Sequence, residues 1–489
     1  MNYLVVVLAS LLVPLGYVGN ASEKTEDKSA ADSTAPERQL FLEFTIADFP
    51  FMHKAAIMRT NLSTNNLHSS SPPFLNYLKG YESPSMHQAL TFTKSLHSLN
   101  YYGHNQLWDR WVKPENRRKR VVNRIGANLT AGLTDLVFTY YGIVFSPQWL
   151  HEEFHRAGMT IRGIPSYDET YNRFNGGLAT GSVSKVKDEH LVHWKKEAPQ
   201  EIIRSFAAGI ESELLLLRSL QKDNFRGAGY PNILMNILLT KHTIDYVKQF
   251  NQPGFDASID SMNYHGSHVP DRDFVGWDFS AWVYDLHRAD DPYSNRGTHP
   301  SGIGIDRAIK KSKLTDEERK YLTTMGKMQY LNFLSPFMIG ISRIKIGRDS
   351  QFNFAARHYL TSFGYDLTLD LFLNHKNRPF LFAFHGYRNK TKFYPGIEFE
   401  SAAFIISQKK YGIQVQPRIM VWLQPPNQRF HDTGSKAGAL LHFRLSKPIS
   451  RNFDVYLDTE TKTGGWVAGN PYLGSNLTFR SGITAHFKK

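Results

Sequence analysis

The sequence predicts an α+β protein in which a mainly helical N-terminal half precedes an antiparallel β half. Apolar residues recur every three or four positions before about residue 335 and every second position after it. The 489 residues are 41% hydrophobic and 21% charged, an ordinary globular composition that excludes wholesale disorder. The chain contains no cysteine, so any metal must be bound by histidine and carboxylate side chains.

Residues 1–21 have the pattern of a secretory signal peptide. An apolar core is followed by small residues, with Gly19 and Ala21 at positions typical of a cleavage site. An uncleaved membrane anchor is the alternative. Residues 22–39 are charged and small, as in a solvated linker. Export without cysteine fits a bacterial periplasm or outer membrane better than a eukaryotic secretory route.

Residues 40–335 are predicted to form the mainly helical domain. Helical spacing of apolar residues is clear in 200–220, 232–250 and 314–325. Loops rich in Gly, Pro, Asn and Asp separate these helices, and the longest predicted loop covers 252–304. We interpret this half as a metallohydrolase domain because of the motif described below.

Residues 336–489 are predicted to form an antiparallel β domain of about eight to ten strands. Apolar and polar residues alternate along 365–373, 413–423, 439–445 and 477–487. Strands of about 9 to 11 residues can cross a bilayer when tilted, and an outer-membrane barrel with an apolar outer face would give this alternation. A soluble sandwich with one hydrated face is the alternative.

The basic excess of the chain lies in the β half. The protein has a formal net charge of +14, and residues 341–489 alone contain 21 Lys and Arg against 9 Asp and Glu. Basic residues there suit contact with the lipid phosphates of an outer membrane, and a solvated strand face is the alternative. We expect no nucleic-acid partner for an exported protein.

The residues that carry chemistry are 151–155, which read His-Glu-Glu-Phe-His. On a helix, His151 and His155 lie one turn apart on the same face, so both imidazoles can bind one ion. Glu152 then lies beside the metal, where it can take a proton from bound water. Zinc lowers the pKa of such a water to about 7, so these residue types match a hydrolytic Zn²⁺ site.

Flanking residues favour a helix at this motif. Ser146 is a suitable N-cap with proline after it, and Gly158 predicts the end of the helix. The motif resembles the active-site helix of zincin metallopeptidases, in particular the branch whose third ligand is a Glu on a later helix. This resemblance implies His151 and His155 as metal ligands and Glu152 as general base. The alternative is a helix whose histidines only pair with neighbouring acids.

The third ligand is expected on the helix within 200–220. Glu213 lies in register with the apolar stripe of that helix, and a buried carboxylate is costly unless it is paired or binds a metal. Glu211 is the second choice. The small residues 207–209 would allow a close approach to the zinc helix. Pairing of the glutamate with an arginine such as Arg204 is the alternative.

The segment 264–273 is dense in ligand-type side chains. His265 and His268 are candidate catalytic residues, as donors to the oxyanion of a transition state, and Tyr264 is a third candidate donor. The same segment could supply a metal ligand. A loop held by its own hydrogen bonds is the alternative.

The leading functional prediction is an envelope zinc metallopeptidase. A second prediction keeps the zinc but places outer-membrane lipid or glycan in the site. A third is a non-enzymatic outer-membrane barrel or binding protein, in which the helical half is a plug or docking domain. The metal content of the purified protein separates the third prediction from the first two.

Overall fold

The structure, a computed structural model, describes most of the chain. The described residues are 39–64, 83–113, 116–141, 145–175, 181–227, 232–265, 268–405 and 412–488. They form ten α-helices and an antiparallel sheet of 11 strands, which confirms the mixed α+β class. The predicted signal peptide lies outside the described residues, as does the predicted linker except for its last residue.

Ten helices lie in the described part of the chain. In chain order they are α1 (Phe51–Thr64), α2 (Met86–Trp111), α3 (Arg117–Tyr140), α4 (Pro147–Thr160), α5 (Asp188–Glu197), α6 (Pro199–Arg226), α7 (Ile233–Lys248), α8 (Phe255–His265), α9 (Asp278–His287) and α10 (Asp316–Met328). None of the described helices has the length and hydropathy needed to cross a membrane.

The strands form one large sheet and a two-stranded ladder. They are β1 (Gln39–Phe49), β2 (Tyr167–Asp168), β3 (Val183–Ser184), β4 (Ile344–Ile346), β5 (Ser350–Thr361), β6 (Gly364–His375), β7 (Arg378–Arg388), β8 (Phe393–Ser401), β9 (Phe404–Ile405), β10 (Gln414–Gln424), β11 (Lys436–Pro448), β12 (Phe453–Lys462) and β13 (Asn476–Lys488).

The order in the large sheet is β1-β13-β12-β11-β10-β8-β7-β6-β5-β4, with β9 paired to β10. All of these pairs are antiparallel. Within the described ranges no pairing joins β1 to β4, so the sheet is open and the predicted barrel is not confirmed. The four strands predicted from alternation are present as β6, β10, β11 and β13.

The first strand differs from the predicted division of the chain. β1 lies at the start of the segment 40–335, predicted to be helical, yet it pairs with the last strand, β13. Its sequence, QLFLEFTIADF, is mostly apolar, so the two-residue period is weak there. The sheet therefore takes strands from both ends of the chain.

Helix α6 joins the two halves. Its C-terminal part lies on the polar face of the sheet, where Arg218 is 2.9 Å from Asp370 and 3.2 Å from Glu398. Further along α6, Arg226 lies 2.8 Å from Glu400. The predicted segments 40–335 and 336–489 thus share one packed interior.

The segment 252–304 is not the long loop that the sequence predicts. It contains α8 and α9, and in α9 the side chains of Phe279, Trp282 and Leu286 are buried. These residues follow helical spacing, but the many Gly, Pro and Asp residues around them obscure the pattern. Helix α9 begins at Asp278 and packs against α6.

Candidate metal centre

Helix α4 presents the histidine motif and begins as its sequence predicts. The Ser146 side chain accepts a hydrogen bond from the backbone N–H of Trp149, and Pro147 is the first helical residue. The helix does not end at Gly158, as predicted, but continues to Thr160. A Cβ atom at Gly158 would lie 3.2 Å from the Ser205 hydroxyl, so this glycine permits close packing against α6.

Three buried side chains from two helices converge at one point. The Nε2 atoms of His151 and His155 lie 3.4 Å and 3.2 Å from Oδ2 of Asp278. All three residues are buried, and one ligand atom from each lies within 4.8 Å of the others. His151, His155 and Asp278 could hold a metal ion, and we call them the metal group.

The other atoms of these side chains are held by hydrogen bonds. The Nδ1–H of His155 donates to the backbone carbonyl of Ser205 at 2.6 Å, and Nδ1 of His151 lies 2.9 Å from Oε1 of Glu213. The Tyr246 hydroxyl donates to Oδ2 of Asp278 at 2.9 Å. Such partners fix the tautomer and the ring orientation, and leave each Nε2 directed at the common point.

Glu213, the predicted third ligand, lies behind His151 rather than in the converging group. Its carboxylate contacts Nδ1 of His151 and Nδ1 of His242, both at 2.9 Å. Burial alone would raise the pKa of Glu213, but His242 and His151 lower it to about 2. The structure therefore brings Asp278, not Glu213, to the side of the rings where the three ligand atoms converge.

Glu213 lies behind the His151 ring because of Gly209, which precedes it by one turn of α6. A Cβ atom there would lie only 2.1 Å from Nε2 of His151, so the imidazole rests directly on the α6 backbone. Glu213, four residues later, meets the far side of the same ring. The expectation that small residues in 207–209 permit close approach is confirmed at this position.

The remaining predicted residues lie elsewhere. Glu211 pairs with Arg204 at 2.8 Å and accepts the backbone N–H of Gly469 at 2.7 Å. His268 is exposed and pairs with Asp271 at 3.0 Å, and it is absent from the described lining of the pocket beside the metal group. The side chain of His265 lies outside the described part of the chain.

The electrostatics of the group favour positive charge, carried either by protonated rings or by a bound cation. Burial alone would lower the pKa values of His151 and His155. Their contacts with Asp278 raise both values, and the contact with Glu213 raises the pKa of His151 further. The same histidines hold the pKa of Asp278 well below its usual range, against the effect of burial. The carboxylate is thus anionic and stabilises positive charge at the point where the ligand atoms meet.

A cavity of about 380 Å³ lies beside this group. His151, Glu152, His242 and Tyr246 contribute its polar lining next to the metal group, and much of the remaining wall is apolar. That wall includes Leu136, Met235, Leu238 and Leu239. The cavity therefore borders the metal group through His151 and combines polar side chains with an apolar wall.

Sequence reasoning missed Asp278, Tyr246 and His242. Asp278 lies between Trp277 and Phe279, in an aromatic run with the appearance of core. A carboxylate in an apolar run is the same signal that pointed to Glu213, and it would have identified Asp278 as well. Tyr246 and His242 gave no comparable signal, because polar residues one turn apart are common on a half-buried helix.

Comparison with known proteins gives no match to this chain among protein families, curated proteins or solved structures. The resemblance to zincin metallopeptidases therefore rests on the sequence motif alone. The function must be inferred from the arrangement of this chain's own residues.

Proposed function

We propose that this protein is a zinc-dependent hydrolase, with His151, His155 and Asp278 as metal ligands and Glu152 as general base. The observation that carries the proposal is the convergence of three buried ligand atoms beside the cavity that Glu152 lines. We also propose that the resemblance to zincin metallopeptidases extends to this role. In this chain the later helix would contribute an aspartate rather than a glutamate.

The choice of zinc rests on the ligand atoms and their spacing. Two imidazole nitrogens and one carboxylate oxygen are typical of catalytic zinc sites, which leave a position open for water or substrate. Bonds of about 2.0 to 2.1 Å in a tetrahedron place ligand atoms about 3.3 to 3.4 Å apart. The separations of 3.2 Å and 3.4 Å from Oδ2 of Asp278 to the two Nε2 atoms agree with this spacing.

Zinc held by these residues would polarise a carbonyl group and lower the pKa of a water molecule, which could then lose a proton and attack the carbonyl carbon. Glu152 follows His151 directly, and we propose that it takes this proton and passes it to the leaving group. The His242 imidazole lines the same cavity, so it replaces His265 and His268 as the proposed donor to the developing oxyanion. Tyr246 lines the cavity as well, but its hydroxyl donates to Asp278.

The apolar wall suggests the class of substrate. Leu136, Met235, Leu238 and Leu239 would accept an apolar group next to the scissile bond, as in a peptide with a large aliphatic or aromatic side chain. A peptidase remains our first proposal. The same wall suits an acyl chain, so hydrolysis of an envelope lipid is the second candidate.

Metal content and turnover of the full chain test the proposal. We expect about one equivalent of zinc in the wild type and in Glu152→Gln, whereas His155→Ala loses it. Glu152→Gln should lower turnover of apolar peptides at least about 100-fold, because the proton acceptor is removed while the ion stays. Peptides and acyl esters assayed side by side separate the two substrate classes.

Glu153→Gln is the matched control for Glu152→Gln. Glu153 is the neighbouring glutamate on the same helix, but its side chain bonds Arg156 and Tyr171 instead of lining the cavity. We expect this variant to lose stability and keep both zinc and turnover while it is folded. Full turnover in Glu152→Gln, or undiminished zinc in the double variant His151→Ala/His155→Ala, would contradict the proposal.

Placement in a bacterial envelope, contact with outer-membrane lipid and closure of the sheet into a barrel remain predictions. Export follows only from residues 1–21, which the structure does not describe. The non-enzymatic alternative requires a chain that binds no zinc, and the metal measurement above decides it.

A further inference from the structure

The sheet buries its polar side and exposes its apolar side. On β12, Asp458 and Glu460 are buried, whereas Val455 is 37% and Leu457 is 45% exposed. Six neighbouring strands each carry an apolar side chain that is 40% to 46% exposed. These side chains are Phe384, Ile397, Ile419, Phe443, Leu457 and Phe479.

The exposed apolar face is continuous. Strand register connects Leu371 on β6 to Leu477 on β13 in one row that crosses seven strands. Thr461 is the only residue of that row that is not apolar. Between the strand ends, no described residue whose side chain points to this face of β6 to β13 is charged.

The charged residues of these strands pair with each other and with the helices on the opposite face. Arg444 lies 2.8 Å from Asp458 and 2.7 Å from Glu43 of β1. Strands β1 and β7, six places apart in the sheet, both line one cavity of about 750 Å³ together with α2 and α6. The sheet therefore curves around the helices, and its apolar face is the convex one.

This arrangement is opposite to the soluble sandwich with one hydrated strand face, which was the alternative to the predicted barrel. In a soluble sandwich the polar residues of each strand face water and the apolar residues pack in the core. Here the polar residues are covered and the apolar residues lack cover. A soluble monomer rarely exposes a contiguous apolar face of this extent.

We propose that the convex apolar face of β6–β8 and β10–β13 lies in the hydrocarbon core of a lipid bilayer. From Tyr365 to Leu373 the outward residues of β6 span about 27 Å at roughly 3.4 Å per residue, close to the thickness of an apolar membrane band. Exposed basic residues mark both edges, with Arg378 and Lys447 at one edge and Arg388 at the other. Their positions suit lipid phosphates.

Lipid fits this face better than a second copy of the chain. Stable protein interfaces carry about one hydrogen bond per 100–200 Å². The face is about 29 Å wide across its seven strands, and between the strand ends its polar side chains are a few hydroxyls such as Thr459, Thr461 and Ser481. Two convex surfaces also touch over a small area, whereas lipid chains adapt to the curvature.

The natural absence of cysteine makes a direct test simple, and the test is independent of the hydrolase proposal. Ile419→Cys and Phe443→Cys of the full chain are labelled with an environment-sensitive fluorophore and reconstituted into phosphatidylethanolamine–phosphatidylglycerol vesicles. Spin labels on the acyl chains should quench both positions at least about threefold. The exposed α10 position Lys320→Cys is the control and should not be quenched.

A paired set of substitutions provides the second measurement. Val421→Asp/Phe443→Asp should lower the fraction bound to these vesicles at least about tenfold, because charge on a lipid-facing strand is costly. The control Val192→Asp/Ile303→Asp makes the same change at exposed positions of the helical half and should bind as the wild type does. Circular dichroism and the melting temperature report whether each variant is folded.

Three results would overturn the proposal. If the labels at Ile419→Cys and Phe443→Cys stay unquenched and water-accessible in vesicles, lipid contact is excluded. If the protein is a dimer in lipid-free buffer, and both positions are shielded from water but unquenched in vesicles, the face belongs to a second copy. Equal vesicle binding of the two double variants would show that the apolar face does not carry the interaction.

Discussion

The Nδ1 atom of His151 lies 2.9 Å from Oε1 of Glu213, while Nε2 of the same ring faces Asp278. The two ring nitrogens thus have different partners. A carboxylate on Nδ1 holds the proton there and leaves the lone pair of Nε2 for a metal. Glu213 is therefore placed to orient a ligand, and His242 holds its carboxylate from the other side.

Glu213→Gln should weaken zinc binding about 10- to 100-fold without abolishing it, because the amide still accepts a hydrogen bond but lacks the charge. Competition with a chelator of known affinity measures the change. Glu211→Gln is the matched control, since Glu211 pairs with Arg204 away from the metal group. It should lower the melting temperature and leave the zinc affinity unchanged.

A complete loss of zinc in Glu213→Gln, equal to that in His155→Ala, would contradict this assignment. That result would make Glu213 a direct ligand, as the sequence predicts. Retention of weaker zinc would support the proposed role of Glu213 in orienting His151.

Gly209→Ala should abolish zinc binding although it removes no ligand. The added methyl group would lie 2.1 Å from Nε2 of His151, so the ring must move away from the position it shares with His155 and Asp278. Zinc content and affinity of the purified variant measure the effect. Turnover should fall in parallel with bound zinc.

Gly103→Ala provides the control for the helical substitution itself. Gly103 lies within α2, and a Cβ atom there would meet nothing within 4 Å. Alanine favours a helix over glycine by about 0.5 to 1 kcal/mol, so this variant should be slightly more stable and bind zinc normally. Zinc affinity in Gly209→Ala equal to that in Gly103→Ala would show that α6 does not set the position of His151.

Much of the fold follows from local pattern. Alternation over 365–373 and 477–487 predicts strands because each is long, and the N-cap at Ser146 predicts where α4 begins. β1 was missed because its apolar run hides the two-residue period, and α9 was missed because loop-forming residues surround it. The sequence could not show that α6 enters the curve of the sheet, since the pairing of Arg218 with Asp370 connects residues far apart in the chain.

Two of the three residues in the metal group could be predicted from the sequence. Spacing alone places His151 and His155 on one face of a helix, so residues 151–155 are enough to pair them. The third ligand depends on which later carboxylate reaches Nε2 of the two histidines, and both Glu213 and Asp278 lie in apolar runs of the sequence. Gly209 decides between them, because close contact there puts Glu213 behind the His151 ring and leaves the front to Asp278.

Arg218→Met should destabilise the fold by about 3 to 5 kcal/mol, because it leaves the buried carboxylates of Asp370 and Glu398 without that partner. The free energy of unfolding in denaturant measures the loss. Arg162→Met is the control, since the Arg162 side chain is 39% exposed where it pairs with Glu201. We expect a change of at most about 1 kcal/mol there. Similar losses in both variants would contradict a structural role for the buried pairs.

Acid should destabilise the protein through His287, whose ring packs 4.7 Å from that of Phe430 and 5.9 Å from that of Tyr321. Burial lowers the pKa of His287 to about 4, although Glu318 and Glu317 oppose the shift. The unfolded chain takes up a proton at this histidine near pH 6.5, whereas the folded protein takes it up only near pH 4. The free energy of unfolding therefore falls as the pH drops from 6.5 to 4, and this contribution is absent above pH 6.5.

His287→Phe and His287→Gln both remove the titrating group and separate its charge from its packing. Melting temperatures at pH 7.5 and pH 4.5 measure the effect. Both variants should lose less stability on acidification than the wild type, and the phenylalanine should also keep the ring contacts with Phe430. An acid-induced drop in either variant as large as that of the wild type would place the proton uptake at another group.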